Sequence, residues 1–121
     1  MSEISKDKPN DLEERTFRLA KQAFAYFKNL PRTAINIEVS KQGIRSTGSM
    51  GANFIEANEA FSRKDFILRV KICRKESKES IYWLRLIDVE DDAIIEKERQ
   101  RLIGEATELM KIFSAIMRKS V

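Results

Sequence analysis

Histidine is absent from this chain, cysteine occurs once, proline twice and glycine four times, and each scarcity closes off a class of protein. Without histidine there is no histidine general base, no Ser/His or Cys/His nucleophile pair and no His-ligated zinc. A lone Cys73 cannot form an intrachain disulfide, which points to a reducing compartment. So few prolines and glycines could not punctuate a sandwich of many strands and turns. Long apolar runs are missing too: the longest stretch without a charge is Ser46 to Ile55, rich in Gly, Ser and Asn and far too short to span a membrane. Met1 to Asn10 is polar and mixed in charge, unlike a signal peptide. What the chain does hold is 35% charged residues over 121 positions. That suits one domain of long solvated helices, large enough to bury a core without metals or disulfides. The expectation is an all-α, cytoplasmic protein with no membrane partner.

Helical periodicity and punctuation predict four helices at about 11–30, 33–60, 63–88 and 95–119. Asp11 with Glu14 reads as a capping box, and Pro31 ends the first helix, whose packing row is Phe17, Ala20, Phe24 and Phe27. Ser62 with Asp65 is a second capping box, opening a helix with Phe66, Val70, Cys73, Ser77, Leu84 and Ile87 on its packing side. The acidic run Asp88 to Asp92 breaks that helix. The last helix carries Leu102, Ala106, Leu109, Phe113 and Ile116 at alternating four and three. Short connections make an antiparallel up-and-down four-helix bundle the simplest topology.

The second helix is unusual in its small residues. Ile44, Gly48, Gly51 and Ile55 form a contact row, and two glycines in a helix interior cost about 1 kcal/mol each, so a close neighbour is expected there. Beside them runs a polar stripe of Gln42, Arg45, Ser49, Asn53 and Glu56. It reads either as a hydrogen-bond network fixing helix register or subunit orientation, or as a pocket in which Arg45 holds an anion and Asn53 a base edge. Cys73, Tyr82 and Trp83 read as core or subunit-contact residues.

These residues carry a resemblance. The run QGIRSTGSMGANFIEA, then SRKDF and KESKESIYWL, resembles the four-helix bundle proteins encoded in intervening sequences of large-subunit ribosomal RNA genes, over roughly residues 10 to 118. Its most specific part is Arg-Ser-x-x-Ser-x-x-Ala-Asn-x-x-Glu, met by Arg45, Ser46, Ser49, Ala52, Asn53 and Glu56. The resemblance implies a cytosolic homopentamer without catalysis. It also implies kinship to the accessory variability determinant of diversity-generating retroelements, a basic pentamer that works with a reverse transcriptase and its RNA. The Gly-Gly-Trp ending of that accessory protein is absent here.

Known site chemistries find few candidates. Di-iron bundles want a Glu-x-x-His motif from each of two helices, which this chain cannot supply. Glu56, Glu76 and Glu79 could form an all-carboxylate cage for a hard cation, but bundle glutamates ordinarily face water or pair, so no metal or cofactor is expected. Ser5 and Lys8 have a Ser-x-x-Lys spacing within a polar tail, and Gly43, Gly48 and Gly51 lie in a helical pattern rather than a phosphate-binding loop.

Charge is the feature that points outward. From Arg63 to Arg85 there are eight basic residues against three acidic ones, a net of +5 where the whole chain is +4. Lys64, Lys71, Lys75, Lys78 and Arg85 line one helical face, with Arg74 beside them. One reading is a solvated surface. The other, strengthened by repetition around a ring, is a site for RNA or DNA. The expectation is therefore a non-enzymatic homo-oligomeric scaffold for structured nucleic acid or a nucleoprotein such as a reverse transcriptase with its RNA. A module that binds only protein is the alternative. Lys64, Lys71, Arg74, Lys75, Lys78 and Arg85 are the nucleic-acid candidates; Arg45, Gly48, Ser49, Gly51, Asn53, Glu56 and Trp83 are the assembly candidates.

Overall fold

A computed structural model describes residues 9–120, which form four helices and no strand. They are α1 (Pro9–Lys28), α2 (Ala34–Asn58), α3 (Arg63–Leu86) and α4 (Ala93–Ser120). Consecutive helices pack on one another and α4 closes back loosely on α1, giving the all-α four-helix bundle. In this arrangement the α1–α2 face lies across the bundle from the α3–α4 face. Ser5 and Lys8 lie outside the described residues.

The starts of α2, α3 and α4 each have a local reason. Thr33 caps α2, its hydroxyl accepting from the Asn36 amide at 3.1 Å, and Ser62 caps α3 by accepting from the Asp65 amide at 3.1 Å. Asp92 does the same for α4, accepting from the amides of Ile94 at 2.9 Å and Ile95 at 3.1 Å. The turn before it passes through Glu90 and Asp91, both left-handed at φ 51° and 59°. Asp11 does not cap, because Pro9 and Asn10 are already helical and leave Asp11 inside α1. Asn36, 2% exposed, ties the two turns at this end of the bundle. It donates to the Pro31 and Asp88 carbonyls at 3.1 and 2.9 Å and accepts from the Asp88 amide at 2.8 Å.

The core runs along all four helices. Leu102, Ala106, Leu109 and Phe113 of α4 are fully buried against Val70, Cys73 and Leu84 of α3, with Met50, Phe54 and Ala57 from α2. Truncating one of these leucines to alanine should cost about 2–5 kcal/mol. The predicted rows of α3 and α4 are thus in place. Those of the first two helices need correction. On α1 the inward residues are Leu12, Leu19, Ala23 and Phe27, while Phe17 is 56% and Phe24 39% exposed. On α2 they are Val39, Gly43, Met50, Phe54 and Ala57, while Ile44 and Ile55 are 38% and 49% exposed. The physical reason is that both helices carry two apolar stripes. The bundle buries one, and the other forms an outer strip down the α1–α2 face.

Glycine lets α1 come close to α2. The ring of Phe27 points tip-first at Gly43, where a Cβ would lie 2.3 Å from Cζ. Gly51 meets Thr16, whose Oγ1 would be 2.9 Å from a Cβ, whereas Gly48 has only Phe24 Cζ at 3.4 Å. The expected close approach is real at Gly51, ordinary at Gly48 and tightest at Gly43.

Candidate nucleic-acid interface

Along the outer edge of the α3–α4 contact lies a groove of about 870 Å³. On α3, Leu68, Lys71, Lys75 and Lys78 recur at three and four residues, one row beside the buried Val70, Cys73 and Ser77. On the antiparallel α4, Met110, Lys111, Ser114 and Arg118 form the facing row beside Leu109 and Phe113. The floor is apolar, made by Leu68, Ile72 and Met110. The walls are cationic: Lys71, Arg74, Lys75, Lys78, Lys111 and Arg118 line it, and no acidic residue does.

Little neutralises these charges. Lys75 Nζ lies 3.8 Å from a Glu76 carboxylate oxygen and Lys111 Nζ lies 4.0 Å from Glu108, both beyond hydrogen-bond length. Lys71, Arg74, Lys78 and Arg118 have no ion pair within 4 Å among the described residues. Long amines on a common groove act as point charges for phosphates rather than readers of base edges. Four of the sequence candidates, Lys71, Arg74, Lys75 and Lys78, are brought together here. Lys64 sits beyond the groove's end in a separate hollow with Arg63, Ile67 and Ser120, and Arg85 is exposed near the far end of α3 without lining it. Lys111 and Arg118 were missed: α4 alone shows no cationic stripe, and only the antiparallel packing sets them opposite the α3 row.

Three members of the polar stripe of α2, Arg45, Ser49 and Asn53, make hydrogen bonds. Arg45 reaches across to α3, donating to Glu79 at 2.8 Å and lying 3.7 Å from the buried Glu76. Asn53 donates to the Ser49 carbonyl and hydroxyl at 2.9 and 3.0 Å and accepts from Arg69 of α3 at 3.1 Å. Deeper in the seam, Ser80 and Ser46 join the helices at 3.0 Å. Glu56 takes no part. It is exposed and has no hydrogen bond among those of the described residues, so the network expected within the stripe instead crosses to α3, with Arg45 on Glu79 and near Glu76. Gln42 is exposed as well. Trp83 packs against the core edge with its ring 5.0 Å from that of Tyr82. No group of three or more potential metal ligands exists among the described residues, and Glu76 and Glu79 face Arg45 instead. Burial pushes the Cys73 thiol up to about 12, and it donates to the Met50 carbonyl at 3.4 Å, so it stays protonated and unreactive at neutral pH.

Four helices, a polar seam between α2 and α3 and a cationic groove between α3 and α4 define an all-α bundle protein of simple architecture. Comparison with known proteins narrows this. A family model described as 23S rRNA-intervening sequence protein matches residues 8–115, and the chain belongs to that family. Among solved structures it is similar to a crystal structure of a protein with unknown function from the S23 ribosomal protein family of Bacteroides thetaiotaomicron VPI-5482. The two share 31% identity over 91% of this chain and 97% of that one, with a TM-score of 0.76. No curated protein is similar enough to count as a relative. Among the described residues no helix is long and apolar enough to cross a membrane.

Proposed function

We propose that the protein is a non-enzymatic, homo-oligomeric scaffold of the cytoplasm that binds nucleic acid through the α3–α4 groove. The observation that carries this reading is the groove itself, with six cationic lining residues, no acidic one, and four of the six without an ion pair among the described residues. Such a surface gains affinity by releasing condensed counterions from a phosphate backbone. Its natural targets are structured RNA or DNA, alone or with a protein such as a reverse transcriptase, as the family resemblance implies. A chemical role finds little support, since the chain has no histidine and its one thiol is held neutral by burial.

Self-association is supported by the outer strip of α1 and α2. Phe17, Phe24, Ile44 and Ile55 are all more than a third exposed, with Gly48 beneath Phe24. Apolar residues exposed together along one face, rather than scattered singly, suit a subunit interface. The resemblance implies five copies. Light scattering at micromolar concentration tests the assembly, and a strict monomer refutes it.

Titration of an RNA hairpin against salt tests the groove. The affinity should fall steeply, the log-log slope growing by about 0.7–0.9 per phosphate neutralised. Changing Lys71, Lys75 and Lys78 together to glutamate should abolish binding while leaving helicity and assembly mass intact. No binding by the wild-type protein at low salt would leave a protein-only scaffold.

A further inference from the structure

The groove's floor does not fit a ligand recognised by charge alone. Leu68 is 55% exposed at one end of the cationic α3 row, and Ile72 and Met110 add apolar surface further along the same groove. Phosphates gain nothing from an aliphatic floor, and a polyanion held only by the walls would leave it facing water. A ligand that satisfies both parts is anionic along its edge and apolar along its faces.

Building on the reading of this groove as a nucleic-acid site, we propose that it grips an unpaired strand, bases on the Leu68, Ile72 and Met110 floor and phosphates on the lysine and arginine walls. A duplex presents phosphates outward and keeps its base faces stacked inside, so it can touch the walls but cannot reach the floor. Width argues the same way. Packed helices lie about 8–10 Å apart, so the furrow between them admits one strand and leaves a duplex riding on its rims. From Leu68 to Lys78 the α3 wall is roughly 15 Å long at 1.5 Å per residue. That suits a handful of nucleotides, near the low end of about 4 for single-strand sites. The floor is aliphatic and has no hydrogen-bonding side chain, so its contacts with base faces carry little sequence preference. Within a structured RNA, the gripped part is then a loop, bulge or end.

The test compares oligo(dT) with a blunt duplex carrying the same number of phosphates, at low salt of about 50 mM. Polyglutamate of equal charge serves as a competitor. Single strand should bind about tenfold more tightly than duplex, the gain expected from burying roughly 50–60 Å² of apolar floor. Leu68→Asn, at an exposed position that leaves the core intact, should remove most of that difference while duplex binding stays the same; Met110→Gln should act likewise. Polyglutamate should compete poorly. If duplex binds as tightly as single strand, or if Leu68→Asn weakens both equally or neither, the unpaired-strand proposal is overturned while the nucleic-acid reading stands. Equal competition by polyglutamate makes the groove a site for any acidic chain and overturns the proposal too. Absence of binding to either oligonucleotide overturns both readings.

Discussion

Alanine at Gly43 and alanine at Gly104 should move stability in opposite directions. Both positions lie inside long helices, where a methyl group in place of hydrogen is worth about 0.5–1 kcal/mol through backbone entropy and helix propensity. At Gly104 an added Cβ meets no atom within 4 Å, so nothing offsets that gain. At Gly43 it lands 2.3 Å from Phe27 Cζ and 2.7 and 2.8 Å from the two Cε atoms. Carbon atoms in contact settle at about 3.5–4.0 Å, so the ring would have to withdraw by more than 1 Å. It has little room to do so. Phe27 is 4% exposed and its ring meets the edge of Tyr26 at 5.8 Å, while the Tyr26 hydroxyl is itself held on the Ile95 carbonyl at 3.1 Å. Overpacking of this kind costs about 1–3 kcal/mol, which after the propensity gain leaves a net loss of roughly 0.5–2 kcal/mol. The two variants should therefore differ by roughly 1–3 kcal/mol, or about 4–12 °C in Tm for a domain of this size. Urea and thermal unfolding followed by circular dichroism, at one fixed protein concentration because assembly shifts apparent stability, would measure this. Adding Phe27→Leu to Gly43→Ala should recover part of the loss. A Gly43→Ala protein that melts at or above the wild-type temperature would refute the close-packing argument.

In a double-mutant cycle, Arg45→Ala and Glu79→Ala should couple by about 0.2–1 kcal/mol, the pair being half exposed, whereas Arg45→Ala and Glu56→Ala should simply add. Coupling to Glu56 of similar size would mean that the α2 stripe is wired differently. On the outer strip, Phe17→Glu with Ile55→Glu should lower the assembly mass in light scattering while leaving helicity unchanged; an unaltered mass would place the subunit contact elsewhere. Alkaline pH should weaken the fold. Burial raises the Cys73 thiol from 9.0 and the Tyr26 phenol from 10.0, each to about 12, so the folded chain keeps protons that the unfolded chain gives up. Both contributions are complete below pH 9 and disappear as the pH rises from about 9 towards 12. The urea midpoint should fall over that range, and a flat profile would contradict the burial of both groups.

How much could be read from the chain differs from helix to helix. On α3 and α4 the row at alternating four and three is the one that turns inward, so periodicity identifies Val70, Cys73, Leu84, Leu102, Ala106, Leu109 and Phe113 as core, while Leu68, Ile72 and Met110 lie outside it. On α1 and α2 two apolar rows compete, and a single-helix pattern does not say which one turns inward. Phe17 and Phe24 are larger than Leu19 and Ala23, yet the smaller residues sit inside, because tight α1–α2 packing against Gly43 and Gly51 leaves no space for more rings. Turn chemistry was legible where one side chain caps the next residues, as at Ser62, and illegible where the partner is distant, as with Asn36 and Asp88. The groove shows the same divide. Its α3 wall stands out as a stripe within one helix, but Lys111 and Arg118 look like ordinary charges on α4 until the fold sets them across from it.

Because the α1–α2 strip lies across the bundle from the α3–α4 groove, copies joined through the first would leave every copy of the second open to solvent. Valency then becomes a property of the ligand's length. A strand that reaches two grooves meets the second at millimolar effective concentration, and avidity can exceed the affinity of one groove by about 10²–10⁴ without a single new contact. A strand too short to bridge them gains nothing. An assembly of this kind would tell nucleic acids apart by how far their unpaired segments extend, with a threshold set by the spacing between neighbouring subunits.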